Sequence, residues 1–441
     1  MVFGPVFTLP TFQNILVLFV GAVMSPRSRT ITAILRASAP LATKHFTSFH
    51  RVLSKRKWNM LLASFILVTL IIGCIAGNTP IVCAVDDSTV RRWGKRVYGK
   101  GCHRDAVRSS KTKLIHCFGH KWVVFMILLP MPFSDRRWAL PFMALLYQPK
   151  EQEIAERGRH FTSIDWARKG CAWLVRKFPA RQFIILGDGG FSSLAFALWC
   201  SLHKAHITLV SRFYKNAVLH ADPKPRQKGQ KGPTPKKGER ILSPEQEAKQ
   251  PNANWKTINV KWYGAEPKKV KILSKKGLWY QAGNDPVPVR WVLVRFQDEN
   301  KKREEECFFT TDVNMKPKQI VEHYVSRWNI EVTFEEVRAH LGLETLRNYC
   351  ENSVKRSIPA LLAVFSIIAL WFHKQWQLNP PKIQKTPWYK KEEPTFSDAL
   401  IAIRLDLFHH TFLSNPALRV GYHLIPKPLK EFLIQKIIQI A

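Results

Sequence analysis

PIVCAVDDST, Pro80 to Thr89, is the stretch from which the fold can be read. Its apolar run, Ile81 to Val85, stops at Asp86 and Asp87. A short continuous apolar run bounded by a proline and by acids reads as a buried strand. The end of that strand delivers a carboxylate. A second stretch repeats the pattern. FIILGDGGFSS, Phe183 to Ser193, is apolar from Phe183 to Leu186, then ends at Asp188 before two glycines. In α/β sheets ligands gather where strand ends converge. Two acid-tipped buried strands therefore predict a site as well as a fold.

The segments around these strands fit a mixed α/β layout with helices on a central sheet. KLIHCF, WVVFMILLP and WALPFMALLY read as strands, the first two separated by GHK. His160 to Phe178 and Ser192 to Lys204 have helical periodicity, and His206 to Phe213 reads as a further strand. Composition then shifts. Asp222 to Arg240 is rich in Pro, Gly and Lys and reads as a flexible basic linker. After it, segments such as KKVKILSKKGLWYQ alternate apolar and basic residues, the mark of exposed strands with a basic face. The expected organisation is a helical region at 1–78, a catalytic core at 79–214 and 316–376, a β-rich basic insertion at 215–315, and a helical tail at 377–441.

Charge sets the class of partner. There are 68 Lys+Arg against 32 Asp+Glu, a net +36. A polyanion is the natural counterpart, because each phosphate neutralised releases condensed counterions. Nucleic acid leads and an anionic membrane surface comes second. The short basic helices before residue 60 suit a DNA-binding region, and Arg91 to Lys113 forms a basic loop able to meet phosphate. Two apolar runs, Met60 to Ala76 and Ile358 to Phe372, are at or below the ~20 residues of a membrane span, and read as buried core helices. No charged region precedes the N-terminal apolar residues, so no secretory signal is expected. The eight cysteines include no C-x-x-C pair, which predicts reduced thiols and a cytoplasmic protein.

The third acid is sought in YVSRWNIEVTFEEVR, Tyr324 to Arg338, within a helix expected from about Pro317 to Leu341. At ~100° per residue Tyr324, Arg327, Glu331 and Arg338 fall within roughly 60° of one another. Trp328 flanks that face, and Ile330, Phe334, Val337 and Leu341 form an adjoining apolar stripe. A salt-bridged surface explains this less well: Arg327 before Glu331 is the poorer i,i+4 order, and Glu331 and Glu335 repel. An aspartate after a strand is often only a turn or capping residue. Jointly, Asp87 (or Asp86), Asp188 and Glu331 would instead form a carboxylate cluster. Such a cluster calls for Mg²⁺ or Mn²⁺, and two such ions drive in-line displacement at phosphorus.

These residues resemble a DDE (Asp-Asp-Glu) transposase of a bacterial insertion sequence, in the group named after insertion sequence four. That group's helix carries Tyr, two residues, Arg, three residues, Glu, six residues, Lys. Tyr324, Arg327 and Glu331 match, and Arg338 stands where Lys is the rule; both are cations with different geometry. VDDST resembles the first-acid motif and puts that acid at Asp87, with Asp86 the alternative. GDGGFSS resembles the second at Asp188. The resemblance spans roughly residues 82–347, including a strand-rich insertion before the last acid.

It implies an RNase H-like fold. It also implies metal-dependent cleavage at transposon ends followed by strand transfer into target DNA, using two Mg²⁺ held by Asp87, Asp188 and Glu331. Tyr324, Arg327, Trp328 and Arg338 are then expected at the DNA. The partners implied are transposon-end and target DNA, without membrane, with a homodimer or larger synaptic assembly in a bacterial, nucleoid-associated setting. Some relatives stack a flipped base on a tryptophan of the insertion, where Trp255, Trp262, Trp279 and Trp291 lie. Two other classes remain open on the sequence: a decayed transposase acting as a DNA-binding repressor, and a membrane-associated basic protein.

Overall fold

The structure is a computed structural model, and it describes residues 2–105, 108–110, 112–225, 232–262, 267–296, 305–381, 383, 391–412, 419–420, 422 and 424–439. The chain divides into two compact units. Each has its own core, and the strand β1 (Ile81–Arg91) contributes to both, its residues 81–86 to one and 87–91 to the other.

The first unit holds residues 1–75, 87–160 and 331–441. It opens with four helices, α1 (Leu9–Met24), α2 (Ile31–Ala37), α3 (Phe46–Ser54) and α4 (Met60–Gly73). Local signals set their starts. The Thr30 hydroxyl accepts from the Ala33 N–H, and Asn59 accepts from Leu61 and Leu62. Leu18, Ala22, Ile34, Phe49 and Val52 make the common core of α1, α2 and α3. After β1 come β2 (Gly101–Arg104), β3 (His116–Met131) and β4 (Ser134–Tyr147), with β3 and β4 paired antiparallel. The break expected at GHK does not occur: β3 runs unbroken for 16 residues. Glycine is required at 119 by packing, since a Cβ there would lie 2.5 Å from the Val90 carbonyl oxygen of β1. The helix α5 (Lys150–Arg157) follows.

Later in the chain, the first unit continues with α10 (Asn329–Leu341), α11 (Glu351–Leu378), α12 (Phe396–Leu407) and α13 (Lys427–Gln439), α10 counted from Glu331. Among the described residues α11 alone is long and apolar enough to cross a membrane, yet 67% of its apolar window is buried inside the protein. It packs on β4, where Ser366 donates to the Pro141 carbonyl at 2.6 Å. It is a core helix, as its sequence predicts. Residues 382 and 384–390 of the Pro/Lys/Trp-rich stretch at 379–394 lie outside the described residues.

The second unit holds residues 76–86 and 161–330. Here β1, β5 (Phe183–Gly187) and β6 (Ile207–Arg212) run parallel, with α6 (Ser163–Lys177) and α7 (Leu194–Leu202) in the crossovers. The central apolar residues of β1 and β5 are almost completely buried, which is why both stretches read as continuous apolar runs. The insertion supplies β7 (Leu219–His220), β8 (Arg240–Ile241), α8 (Pro244–Ala248), β9 (Lys256–Lys261), β10 (Pro267–Trp279), β11 (Val287–Phe296) and β12 (Glu306–Thr310). These strands extend the same sheet, because β12 pairs with β6, β11 with β12 and β10 with β11. On β10, Val270 and Ile272 are buried while Lys269 and Lys271 are exposed, the basic outer face that alternation predicts. Residues 226–231 of the linker lie outside the described residues. The unit ends with α9 (Pro317–Ser326). The fold is mixed α/β, with the parallel strands, the strand-rich insertion and the following helix of an RNase H-like layout.

Candidate active site

In the second unit the strand ladder brings two acids side by side. The last paired residues of β1 and β5 are Val85 and Gly187, and the next residue on each strand is Asp86 and Asp188. Paired residues of parallel strands project to the same face, so these two carboxyl groups share one face just past the last β1–β5 pair; β5 stops there, whereas β1 continues to Arg91. The Asp188 carboxylate accepts from the Gly190 N–H at 2.8 Å, and its carbonyl accepts from the Ser211 hydroxyl at 2.8 Å. This fixes the acid at the lip of the sheet. Arg212, on β6, lies against the same turn: a Cβ at Gly189 would be 3.7 Å from its Cδ.

The helix expected over 317–341 is broken. α9 ends at Ser326 and α10 starts at Asn329, with a turn at Arg327 and Trp328. The N–H groups of Arg327, Trp328 and Ile330 bond carbonyls three residues back, the tighter 3₁₀ pattern. Two side chains explain the change: Ser326 donates to the His323 carbonyl at 2.7 Å and Asn329 to the Ser326 carbonyl at 2.8 Å. Such local bonds compete with the helical ladder. The break turns Arg327 inward, where its guanidinium pairs with Asp86 at 3.2 Å, the two side chains being 10% and 17% exposed.

The break also separates Tyr324 from the face on which the periodicity placed it. Tyr324 is buried with its ring 4.3 Å from that of Phe308, and burial raises its hydroxyl pKa. That side chain thus packs in the core rather than on the charged face where the periodicity put it. Trp328 is exposed at the turn.

In the first unit, Asp87 pairs with Lys121 of β3 at 2.7 Å. Successive residues of a strand point to opposite faces, so Asp87 faces away from the side that carries Asp86 and Ser88. Ser88, on the Asp86 side, receives a hydrogen bond from Arg338 at 2.8 Å. Arg338 lies two turns along α10 from Glu331, on the same helical face. Ile330, Phe334, Val337 and Leu341 are buried as the stripe predicts. Thr333 anchors the helix further by donating to the Ala139 carbonyl at 2.8 Å.

Asp86 rather than Asp87 therefore shares a face with Asp188, because period-two alternation sends the two neighbours to opposite faces. Lys121 and Arg212 were missed by sequence reasoning. Lys121 sits in the GHK that reads as a break between two strands, and Arg212 is one cation among many.

A metal fits this chemistry in part. Carboxylate oxygens at neighbouring strand ends suit a hard divalent cation that binds through few acids and retains water. Among the described residues, no three His, Cys, Asp or Glu side chains form a ready ligand group. Arg327 and Lys121 supply positive charge at Asp86 and Asp87 instead. His103 and Cys117 do face each other on β2 and β3, but without further ligands among the described residues. Of the insertion tryptophans, Trp262, Trp279 and Trp291 are buried packing residues. Trp255 is half-buried with the Arg295 guanidinium 4.2 Å from its ring centroid.

Comparison with known proteins places the chain in a family. The model described as DDE superfamily endonuclease matches residues 3–268, more than half of the chain. The transposase model of the archaeal element ISC1217 matches residues 286–371, which include α9, α10 and most of α11. Together they support a DDE transposase, a superfamily that generally uses divalent metal ions. No curated protein matches the chain. Among solved structures, a piggyBac transposase synaptic complex with hairpin DNA is similar over 97% of this chain and 75% of that one. Its identity is 11% and its TM-score 0.42.

Proposed function

We propose that this chain, which belongs to the DDE superfamily endonucleases, is a DNA transposase that cuts at the ends of a mobile element and joins them to target DNA. The observation that carries this reading is the β1–β5 register, whose last pair, Val85 and Gly187, is followed by Asp86 on one strand and Asp188 on the other. Asp86, Asp188 and Glu331 are the acids assigned to two Mg²⁺ ions, for which Mn²⁺ would substitute. When bound, such ions supply Lewis acidity at the scissile phosphate and a nucleophilic oxygen near neutral pH.

The chain's own groups do the positioning. Arg327 neutralises Asp86 and is within reach of phosphate once that acid takes another partner. Arg338 is held on β1 through Ser88 and offers a second cation. Trp328 presents an exposed ring at the turn next to Arg327. Tyr324 acts from beneath, packing the end of α9 onto β12. The net charge of +36 supplies the field that gathers DNA, and two element ends would be held by a homodimer or larger assembly.

The test is cleavage of a plasmid carrying the element's ends, with end binding measured alongside. Glu331→Ala should abolish cleavage and leave binding intact. Unimpaired cleavage by that variant would sink the assignment. Metal-dependent cleavage by the wild type separates a transposase from a decayed, binding-only relative.

A further inference from the structure

The basic loop after β1 has no part in the chemistry above, yet it is built with care. Arg92 is buried and donates to the carbonyls of Glu344 and Leu346 at 3.3 and 3.2 Å. Its backbone N–H bonds the Phe118 carbonyl at 3.0 Å, and the Tyr98 N–H bonds the Tyr349 carbonyl at 2.9 Å. Gly94 and Gly99 take φ values of +104° and +66°, conformations that favour glycine. The His120 ring bonds the Tyr98 carbonyl at 2.8 Å. A loop tied at so many points presents its side chains in fixed positions.

What it presents is aromatic and cationic. Trp93 is 67% exposed, Phe118 61% and Tyr349 67%. Bonds through their own or adjacent backbone groups fasten all three to one loop. Lys95, Arg96 and Arg347 are exposed among them, and Lys100 lies 5.4 Å from the Phe118 ring centroid while donating to the Gly94 carbonyl at 2.5 Å. Three rings held open to solvent by a rigid frame are costly unless they are covered in use. Interleaved cations exclude an apolar partner and match a polyanion whose bases have free π-faces.

We propose that the 92–100 loop, with Phe118 and Tyr349, is a platform for unpaired DNA, stacking bases on its rings and holding phosphates with its lysines and arginines. A duplex hides its base faces, so the rings select single strands while the cations alone would not. The proposal rests on the DNA reading above and adds a strand state to it.

The test uses the full chain and fluorescence anisotropy at one salt concentration, with a labelled 20-nucleotide oligo(dT) and a duplex of equal length. Trp93→Ala with Tyr349→Ala should weaken oligo(dT) binding by about 10-fold or more, from stacking worth ~1–3 kcal/mol per base, and change duplex binding less than twofold. Trp93→Phe with Tyr349→Phe should restore it, which also shows that the loop folds. Equal losses on both DNAs, or none on oligo(dT), would overturn the platform. So would a loss accompanied by a smaller sedimentation coefficient, which would mark the patch as an interface between copies. Wild-type protein that binds neither DNA would undo the DNA reading itself.

Discussion

The two faces of β1 carry neighbouring acids in different surroundings. On one face Asp86 follows the last β1–β5 pair as Asp188 does on β5, pairs with Arg327, and is followed two residues later by Ser88 under Arg338. On the other face Asp87 meets Lys121 of the adjacent strand. Asp86 is held by a guanidinium that, on the proposed function, would turn to phosphate when a metal takes the acid. Asp87 has the cross-strand ion pair of an ordinary sheet. Adjacency in sequence is thus no guide to shared chemistry in a strand, because a step of one residue changes the face.

The strongest way to break this comparison is to neutralise each acid in turn. Asp86→Asn and Asp188→Asn are expected to lower the cleavage rate by about 10³-fold, several kcal/mol of charge stabilisation in the transition state. Asp87→Asn is expected to cost less than about tenfold, because the ion pair it weakens is roughly a third exposed. Single-turnover cleavage assays decide the matter, and the reverse order of effects would return the first acid to Asp87.

The sheet beneath the Asp87 face can be probed by pH. Burial lowers the His120 pKa from 6.5 to about 4. Between those values the unfolded chain binds a proton that the folded ring refuses, so stability falls as pH drops from about 6.5 to about 4, by about 3 kcal/mol in all. His103 and His373, also lowered by burial, act in the same direction. Chemical denaturation across this range should show a slope that His120→Gln reduces.

A smaller effect is expected from Gly119→Ala, which pushes a methyl group against the Val90 carbonyl and should destabilise by about 1–3 kcal/mol. Thermal denaturation reads this, and an unchanged midpoint would show that β3 can withdraw from β1. The least effect belongs to Arg338→Lys. It exchanges one hydrogen bond to Ser88 for another cation, and cleavage should fall by no more than about 2- to 10-fold.

Much of this was legible in the sequence. The apolar runs ending in Asp86 and Asp188 are buried parallel strands because only such strands lack alternation. The stripe Ile330, Phe334, Val337 and Leu341 is buried because helical periodicity is a property of the chain alone. Less legible was the break at Arg327 and Trp328. It depends on Ser326 and Asn329 capturing carbonyls that a regular helix would use, and many such residues sit in helices without doing so. GHK likewise reads as a break between strands, and only the close approach of β1 explains why Gly119 continues one.

By itself, then, the sequence determined the class of partner, the acid-tipped strands and the family-like order of the motifs, since charge, apolar period and spacing are local or summed quantities. Tertiary structure decided which of two adjacent aspartates joins Asp188, where the charged helix breaks, and that Tyr324 lies inside. Register, face and burial depend on the strand or ring opposite, and no single stretch of chain contains its own partner.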